Sequence, residues 1–449
     1  MNRKLGLVEN LFEILHDLGG MIDVNVARIE GQLTGDTLQQ ALYFVQKRHP
    51  MLQVRIVQSA DGAYFESEGT AEIPLRVIDK QHEKQWIEIA EDELHEKFYS
   101  ATTPLCRVTF LRSSISNGIS EIIATFHHAI TDGMSCMRFF DDLFSYCRQI
   151  AAGEQISKVV TMELLPPLET LLKSSLTENN NLEEAPEKPD REIPTPNLII
   201  EEAAPANERR TRLVTRILSK EMTLKLINRC KQEQTTVHGT LCAAMLFEAA
   251  KIASNGVPIN LSCGSNVNLR KYCNPEVKDD YMGCLVSGLE EKHSLDKDTE
   301  FWSIARECKL KISQSINRRF PHYRVSSTEI LEKFNIDFIT KMSHYNGGRS
   351  STTHISNIGS FNLPNEYGHF RIKELYFATG QHIVGTCFWL GVVTFHEQVF
   401  FTFAHVVPII SDKTAESFAD SVINTIQKAC TSQSFTKLFE KEEKVDCGE

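Results

Sequence analysis

Two adjacent histidines, His127 and His128, separated by three residues from Asp132 and Gly133, are the sharpest chemical signal in the sequence. An imidazole titrates near neutral pH, so it can take a proton from a reacting group and hand it back. Proton transfer of this kind is worth roughly 10²–10⁴-fold in rate. Two histidines and an aspartate are also metal-ligand types, but no third or fourth ligand stands at a familiar spacing. The plainest alternative is structural, since a histidine packs or hydrogen-bonds more often than it catalyses. Asp132 at the head of a helical pattern suits N-capping.

The flanking elements favour chemistry over packing. Residues 121–126 read as an apolar strand, and residues 133–147 as an amphipathic helix with Met137, Phe140 and Phe144 on one face. A strand feeding a helix through a short turn brings both histidines out at the strand's C-terminal end. It also leaves free backbone N–H groups at the helix start. Successive side chains on a strand point to opposite faces, so the two histidines cannot do the same job. One can face a cavity while the other packs or hydrogen-bonds behind it.

The rest of the first part alternates strand and helix signals. Strands are expected at 24–33, 52–57, 63–66 and 105–111, with Asp61-Gly62 as a hairpin turn. Helices are expected at 37–47 and 86–98. From Pro166-Pro167 to Arg210 come prolines, Asn179-Asn180-Asn181 and a run of acids, the composition of a solvated crossover. Beyond it strands are expected at 212–218, 259–268, 281–289, 354–358, 370–377, 387–394 and 399–405. Helices are expected at 222–231, 236–253, 301–316 and 414–428. The expected division is 1–165, a crossover at 166–210, and 211–449. The fold class is α/β, two halves that each hold a mixed sheet with helices.

At 449 residues the chain exceeds the roughly 250–300 residues one core supports. Its net charge of −11 argues against nucleic acid as a partner. No stretch approaches the roughly 18 apolar residues of a membrane helix, and Glu9 and Glu13 interrupt the run a signal peptide requires. The twelve cysteines are scattered, without a CxxC pair, and read as reduced thiols of a cytoplasmic protein.

The seven residues from His127 to Gly133 resemble the HHxxxDG signature of the condensation-domain superfamily of acyltransferases, which includes the stand-alone polyketide-associated proteins and the alcohol acetyltransferases. Other segments fall in family order. Arg48-His49-Pro50-Met51-Leu52 resembles an RHPxL segment, Pro104-Leu105-Cys106-Arg107 a PLxR segment, and Ser356-Asn357-Ile358-Gly359 an SNxG strand. Asn268-Leu269-Arg270 with Tyr281-Met282-Gly283 resembles a conserved stretch of the second half, although Cys284 stands where many relatives carry Asn. The DFGWG segment of the plant-type branch is absent.

The resemblance implies two chloramphenicol-acetyltransferase-like halves around a central tunnel, with donor and acceptor entering from opposite mouths. It implies His128 as the general base and His127, Asp132, Gly133 and Arg270 as structural members of the motif, with Asp132 paired to Arg270. Ser356 and Asn357 would position substrate or stabilise an oxyanion. No bound cofactor or metal is implied. The donor would be acyl-CoA or a phosphopantetheine-linked acyl group, with an acyl-carrier protein as a possible partner, a small-molecule or lipid acceptor, and a monomer as the default state. Two other readings share the motif: a non-catalytic module that binds carrier proteins, and an epimerase-like relative.

Overall fold

A computed structural model describes residues 2–115, 118–173, 197–254, 258–319 and 335–431. In chain order the strands are β1 (Asn2–Lys4), β2 (Ile22–Gly31), β3 (Arg55–Ser59), β4 (Gly62–Glu66), β5 (Leu75–Asp79), β6 (Cys106–Arg112), β7 (Ile119–His127), β8 (Arg210–Leu218), β9 (Ile259–Asn268), β10 (Val286–Leu295), β11 (Arg349–Ser360), β12 (Phe370–Thr379), β13 (Gly385–Phe395) and β14 (Gln398–Val407). The helices are α1 (Leu7–Asp17), α2 (Gly35–Arg48), α3 (Gln85–Glu93), α4 (Gly133–Ala151), α5 (Leu168–Lys173), α6 (Lys220–Gln232), α7 (Val237–Ala253), α8 (Phe301–Arg319), α9 (Ile336–His344) and α10 (Asp412–Thr431).

Strand β7 explains most of the first half. It lies inside a five-stranded sheet of order β12-β2-β7-β6-β5, and every residue from Ser120 to His127 is buried. A strand covered on both faces reads as an unbroken apolar run rather than an alternating one, as Ile122-Ile123-Ala124 does. Helices α2 and α4 pack together, and Phe126, Phe139, Phe140 and Phe144 join the same core. Arg48 and His49 tie α2 to α4 through Asp142, at 3.1 and 2.8 Å.

The second half is a six-stranded sheet of order β10-β9-β11-β13-β14-β8. Its outer face carries α6, α7, α8 and α10 over a core that includes Phe247, Phe301, Phe388 and Phe418. The two halves are not closed to one another. Strand β12 leaves the second half and pairs antiparallel with β2, Phe370 opposite Gly31 and Thr379 opposite Asp23.

Two expectations need correction. The crossover is not solvated throughout: Leu168, Leu171 and Leu172 of α5 are buried with Val8, Leu269 and Leu285. Three leucines on a short helix bury enough apolar surface to dock beside the prolines. Residues 174–196 of the crossover, with Asn179-Asn180-Asn181, lie outside the described residues. The strand expected at 281–289 starts only at Val286, because Gly283 and Leu285 give their N–H groups to side chains of the first half instead of to a ladder. Among the described residues no helix is long and apolar enough to cross a membrane. All described cysteines are free thiols, and all but Cys430 are buried.

Candidate active site

Strand β7 ends at His127, and a single 3₁₀ turn, His128–Ile130, leads to α4. Three contacts fix that turn. The N–H of His127 donates to Leu105 O at 3.0 Å, the N–H of Ala129 donates to His127 Nδ1 at 3.1 Å, and Asp132 caps α4 by accepting from the Ser135 N–H at 2.8 Å.

The two histidines part as a strand end requires. His127 is fully buried, with Nε2 2.8 Å from Glu13 Oε2. Burial, together with the neighbouring His128, pulls its pKa down to about 3, so it is neutral at physiological pH. Its Nδ1 accepts from Ala129, so its proton sits on Nε2 facing Glu13. His16 is arranged likewise: its Nε2 accepts from the Phe98 N–H at 2.9 Å, which leaves the proton on Nδ1. Glu13, His16 and His127 bring potential ligand atoms within 4.8 Å of one another. With these tautomers the remaining ring nitrogens of His16 and His127 carry protons, not lone pairs for a cation. The donor set therefore does not fit a metal.

His128 retains 12% side-chain exposure. Its ring stacks on Phe12 of α1, with centroids 4.1 Å apart and planes 10° from parallel. Its Nδ1 lies 3.0 Å from Thr131 O and 3.2 Å from Asp23 Oδ2. A carbonyl oxygen only accepts, so the neutral ring carries its proton on Nδ1 and keeps a lone pair on Nε2.

Asp132 belongs to a buried cluster that spans both halves. Arg270 meets it twice, Nη1 to Oδ2 at 2.7 Å and Nη2 to Oδ1 at 3.1 Å, and the Leu285 N–H donates to Oδ2 at 3.0 Å. Ser135 Oγ donates to Asp132 at 2.8 Å and accepts from Arg270 Nη2 at 3.0 Å and from the Gly283 N–H at 3.1 Å. Burial alone would raise the Asp132 carboxyl, but the Arg270 charge and these donors hold it below its ordinary value.

A cavity open to solvent lies between the helix start and the second-half sheet, lined by Asp132, Gly133, Asn266, Arg270, Ser356 and Asn357 among others. The two lobes thus bring together the residues read from the motif and those read from β11. His128 is not among the residues lining it. Ser356 Oγ accepts from Asn266 Nδ2 at 3.1 Å, and the Asn266 Oδ1 meets His354 Nε2 at 3.0 Å. Asn357 turns its Oδ1 back to the Gly359 N–H at 2.9 Å. The other histidines weighed from the sequence pair locally, His405 with Asp412 at 2.9 Å and His382 with Thr211 at 3.3 Å. Phe12, Glu13 and Asp23 carry no motif; the only sequence signal was the interruption of an apolar run by Glu9 and Glu13.

Residues 23–163 match the family model for the condensation domain. Residues 207–378 match the model for the phthiocerol/phthiodiolone dimycocerosyl transferase C-terminus. Between them these cover most of the chain, whose first half matches condensation domains and whose second half matches the C-terminal part of a polyketide-associated transferase. Polyketide synthase associated protein 5 from Mycobacterium tuberculosis is 15% identical, with a TM-score of 0.66 over 96% of this chain and 98% of that one. The TRI3 trichothecene 15-O-acetyltransferase from Fusarium sporotrichioides is 11% identical, with a TM-score of 0.68 over 96% and 95%. The epimerization domain of the third module of tyrocidine synthetase B reaches a TM-score of 0.67 at 15% identity, over 96% of each chain. Identities this low show a shared fold, the two-lobed chloramphenicol-acetyltransferase-like architecture. Chondramide synthase cmdD from Chondromyces crocatus is 24% identical over 133 residues, 28% of this chain, and the match spans about 3% of that protein's length.

Proposed function

We propose that this protein is an acyltransferase that moves an acyl group from a thioester, acyl-CoA or acyl-carrier protein, to an acceptor hydroxyl or amine, with His128 as the general base. The observation that carries the reading is the contact of His128 Nδ1 with Thr131 O at 3.0 Å. Thr131 O holds the proton on Nδ1, which leaves Nε2 of a partly exposed imidazole free to accept. The acceptor proton passes to Nε2 as the oxygen or nitrogen bonds to the thioester carbonyl carbon. Collapse of the tetrahedral intermediate breaks the C–S bond, and the thiolate takes the proton back from Nε2. Holding both substrates in attack geometry makes a covalent acyl-enzyme unnecessary.

The first N–H groups of α4, at Gly133 and Met134, have no partner within the helix and border the cavity. They and the Ser356 hydroxyl, whose oxygen accepts from Asn266, are the donors we assign to the developing oxyanion.

The test is thiol release from a panel of acyl-CoAs and acyl-carrier proteins, with and without added alcohols and amines. Acceptor-dependent release that disappears in His128→Ala supports the reading. Binding of carrier protein without release identifies a docking module. Exchange of a carrier-bound aminoacyl α-proton without transfer identifies an epimerase.

A further inference from the structure

Behind the His128 ring stands a carboxylate that no motif contains. Strand β2 pairs antiparallel with β7, placing Ile22 opposite His127 and Asp23 opposite Phe126. On its other edge β2 pairs with β12, placing Asp23 opposite Thr379. Asp23 is therefore held from both sides, with only 6% of its surface exposed. Thr379 Oγ1 donates to its Oδ1 at 2.6 Å, which turns Oδ2 toward His128 Nδ1 at 3.2 Å.

We propose that Asp23 is a positioning residue for the base: it faces the protonated Nδ1 of His128, fixes the ring with Nε2 outward, and supplies the negative charge opposite the imidazolium that forms when Nε2 takes a proton. The inference rests on the reading of His128 as the base. An isolated buried carboxylate is costly, so its position against a group that becomes cationic during the reaction cycle answers a physical need. The Thr131 carbonyl accepts from the ring at 3.0 Å but carries no full charge; Asp23, 3.2 Å from the same nitrogen, supplies one.

The other ionisable groups around Asp23 are already committed. Asp132 is neutralised by Arg270, and His127 is held neutral by burial. The buried thiols of Cys136 and Cys284 are pushed well above their ordinary range, first by burial and then by nearby carboxylates that include Asp23. Burial also raises the Asp23 carboxyl, and the His128 charge and the Thr379 hydroxyl act against that rise. The imidazole of His128 is thus the cation partner that the pocket offers this carboxylate.

The experiment uses the full chain labelled with ¹⁵N in its histidine rings, and needs no substrate. Two-bond ¹H–¹⁵N correlations show which ring nitrogen is protonated, and the His128 signals are those lost in His128→Ala. The expected wild-type ring is protonated on Nδ1, with a downfield Nδ1–H resonance. Asp23→Asn is expected to move that resonance upfield while the His405 signals stay in place. Thr379→Val, which leaves the carboxylate but removes its grip, is expected to give a smaller shift in the same direction. A wild-type ring protonated on Nε2 overturns the inference, as does a His128 resonance that neither variant moves. Should Asp23→Asn not fold, the wild-type tautomer and Thr379→Val decide the matter. Turnover is not read here, so failure of this inference is distinct from failure of His128 as the base.

Discussion

Asp132 and Arg270 face each other across the two halves of the chain in a bidentate pair, at 2.7 and 3.1 Å, with side chains 4% and 1% exposed. The same carboxylate caps α4 and accepts from Leu285. It therefore fixes the helix start, the turn that carries His128 and the docking of the second half together. Removing one partner strands a buried charge, which costs on the order of 3–5 kcal/mol. Asp132→Ala is expected to lower the unfolding free energy, read by urea denaturation, by that amount and to lose activity in parallel. Arg270→Met should be of similar severity. Activity lost at unchanged stability would show that the pair acts in the chemistry and not in the assembly.

A second expectation concerns acid. Burial pulls the pKa values of His16 and His127 down to about 3, in His16 with help from the neighbouring His127. In the unfolded chain each ring titrates near 6.5, so between about 6.5 and 3 the unfolded state binds more protons than the folded one. Stability is then lost as pH falls through that window. Asp132, whose folded pKa is depressed, withdraws its own contribution only below the ordinary carboxylate value. Each ring contributes a slope of at most about 1.4 kcal/mol per pH unit. Urea midpoints measured from pH 7 to pH 4 should fall, and His16→Gln, whose amide oxygen can still accept from Phe98, should flatten the fall. A flat wild-type profile would contradict the buried neutral rings.

What the sequence discloses here follows from how local each signal is. The β7–turn–α4 unit is legible because an apolar run, a capping aspartate and a helical stripe lie within thirty residues of one another. Helix α1 is not, since three of its buried side chains are Glu9, Glu13 and His16, and their partners arrive from elsewhere: Arg3 for Glu9, His127 for Glu13 and the Phe98 N–H for His16. Charge at core positions erases the periodicity on which helix reading depends. Asp23 is hidden for a related reason. One carboxylate at the head of a strand has no motif, and its meaning comes from β7 and from β12, some 350 residues downstream. The order β12-β2-β7 is a tertiary fact that no local pattern states.

Gly133 is a packing requirement as well as a helix start. A Cβ built there would lie 2.8 Å from Ile358 Cγ1 and 3.1 Å from its Cδ1. Gly133→Ala thus pushes on β11, the strand that bears Ser356 and Asn357, and should cost about 1–3 kcal/mol by overpacking. Ile358→Ala removes both colliding atoms. In the double variant the two effects should fail to add by about 0.5–3 kcal/mol, read from denaturation midpoints. Simple additivity would mean that the strand relaxes away from the helix at no cost.

The sharpest separation is between the base and the oxyanion donors. His128→Ala removes a ring held by stacking on Phe12 and by Thr131 O, but it leaves the buried cluster around Asp132 untouched. Because it also leaves the buried Asp23 without the ring it faces, some stability is lost, though less than in Asp132→Ala, while acceptor-dependent thiol release falls by roughly 10²–10⁴-fold. Ser356→Ala leaves the base intact and deletes a hydroxyl that borders the cavity. If that hydroxyl meets the carbonyl oxygen as it gains charge, kcat falls by about 10²–10³-fold and KM stays nearly constant, since the contact strengthens only in the transition state. Asn266→Ala, which frees the serine oxygen to rotate, should lose part of the same factor. A Ser356→Ala enzyme with raised KM and unchanged kcat would place the hydroxyl in ground-state binding and leave the oxyanion to the α4 amides alone.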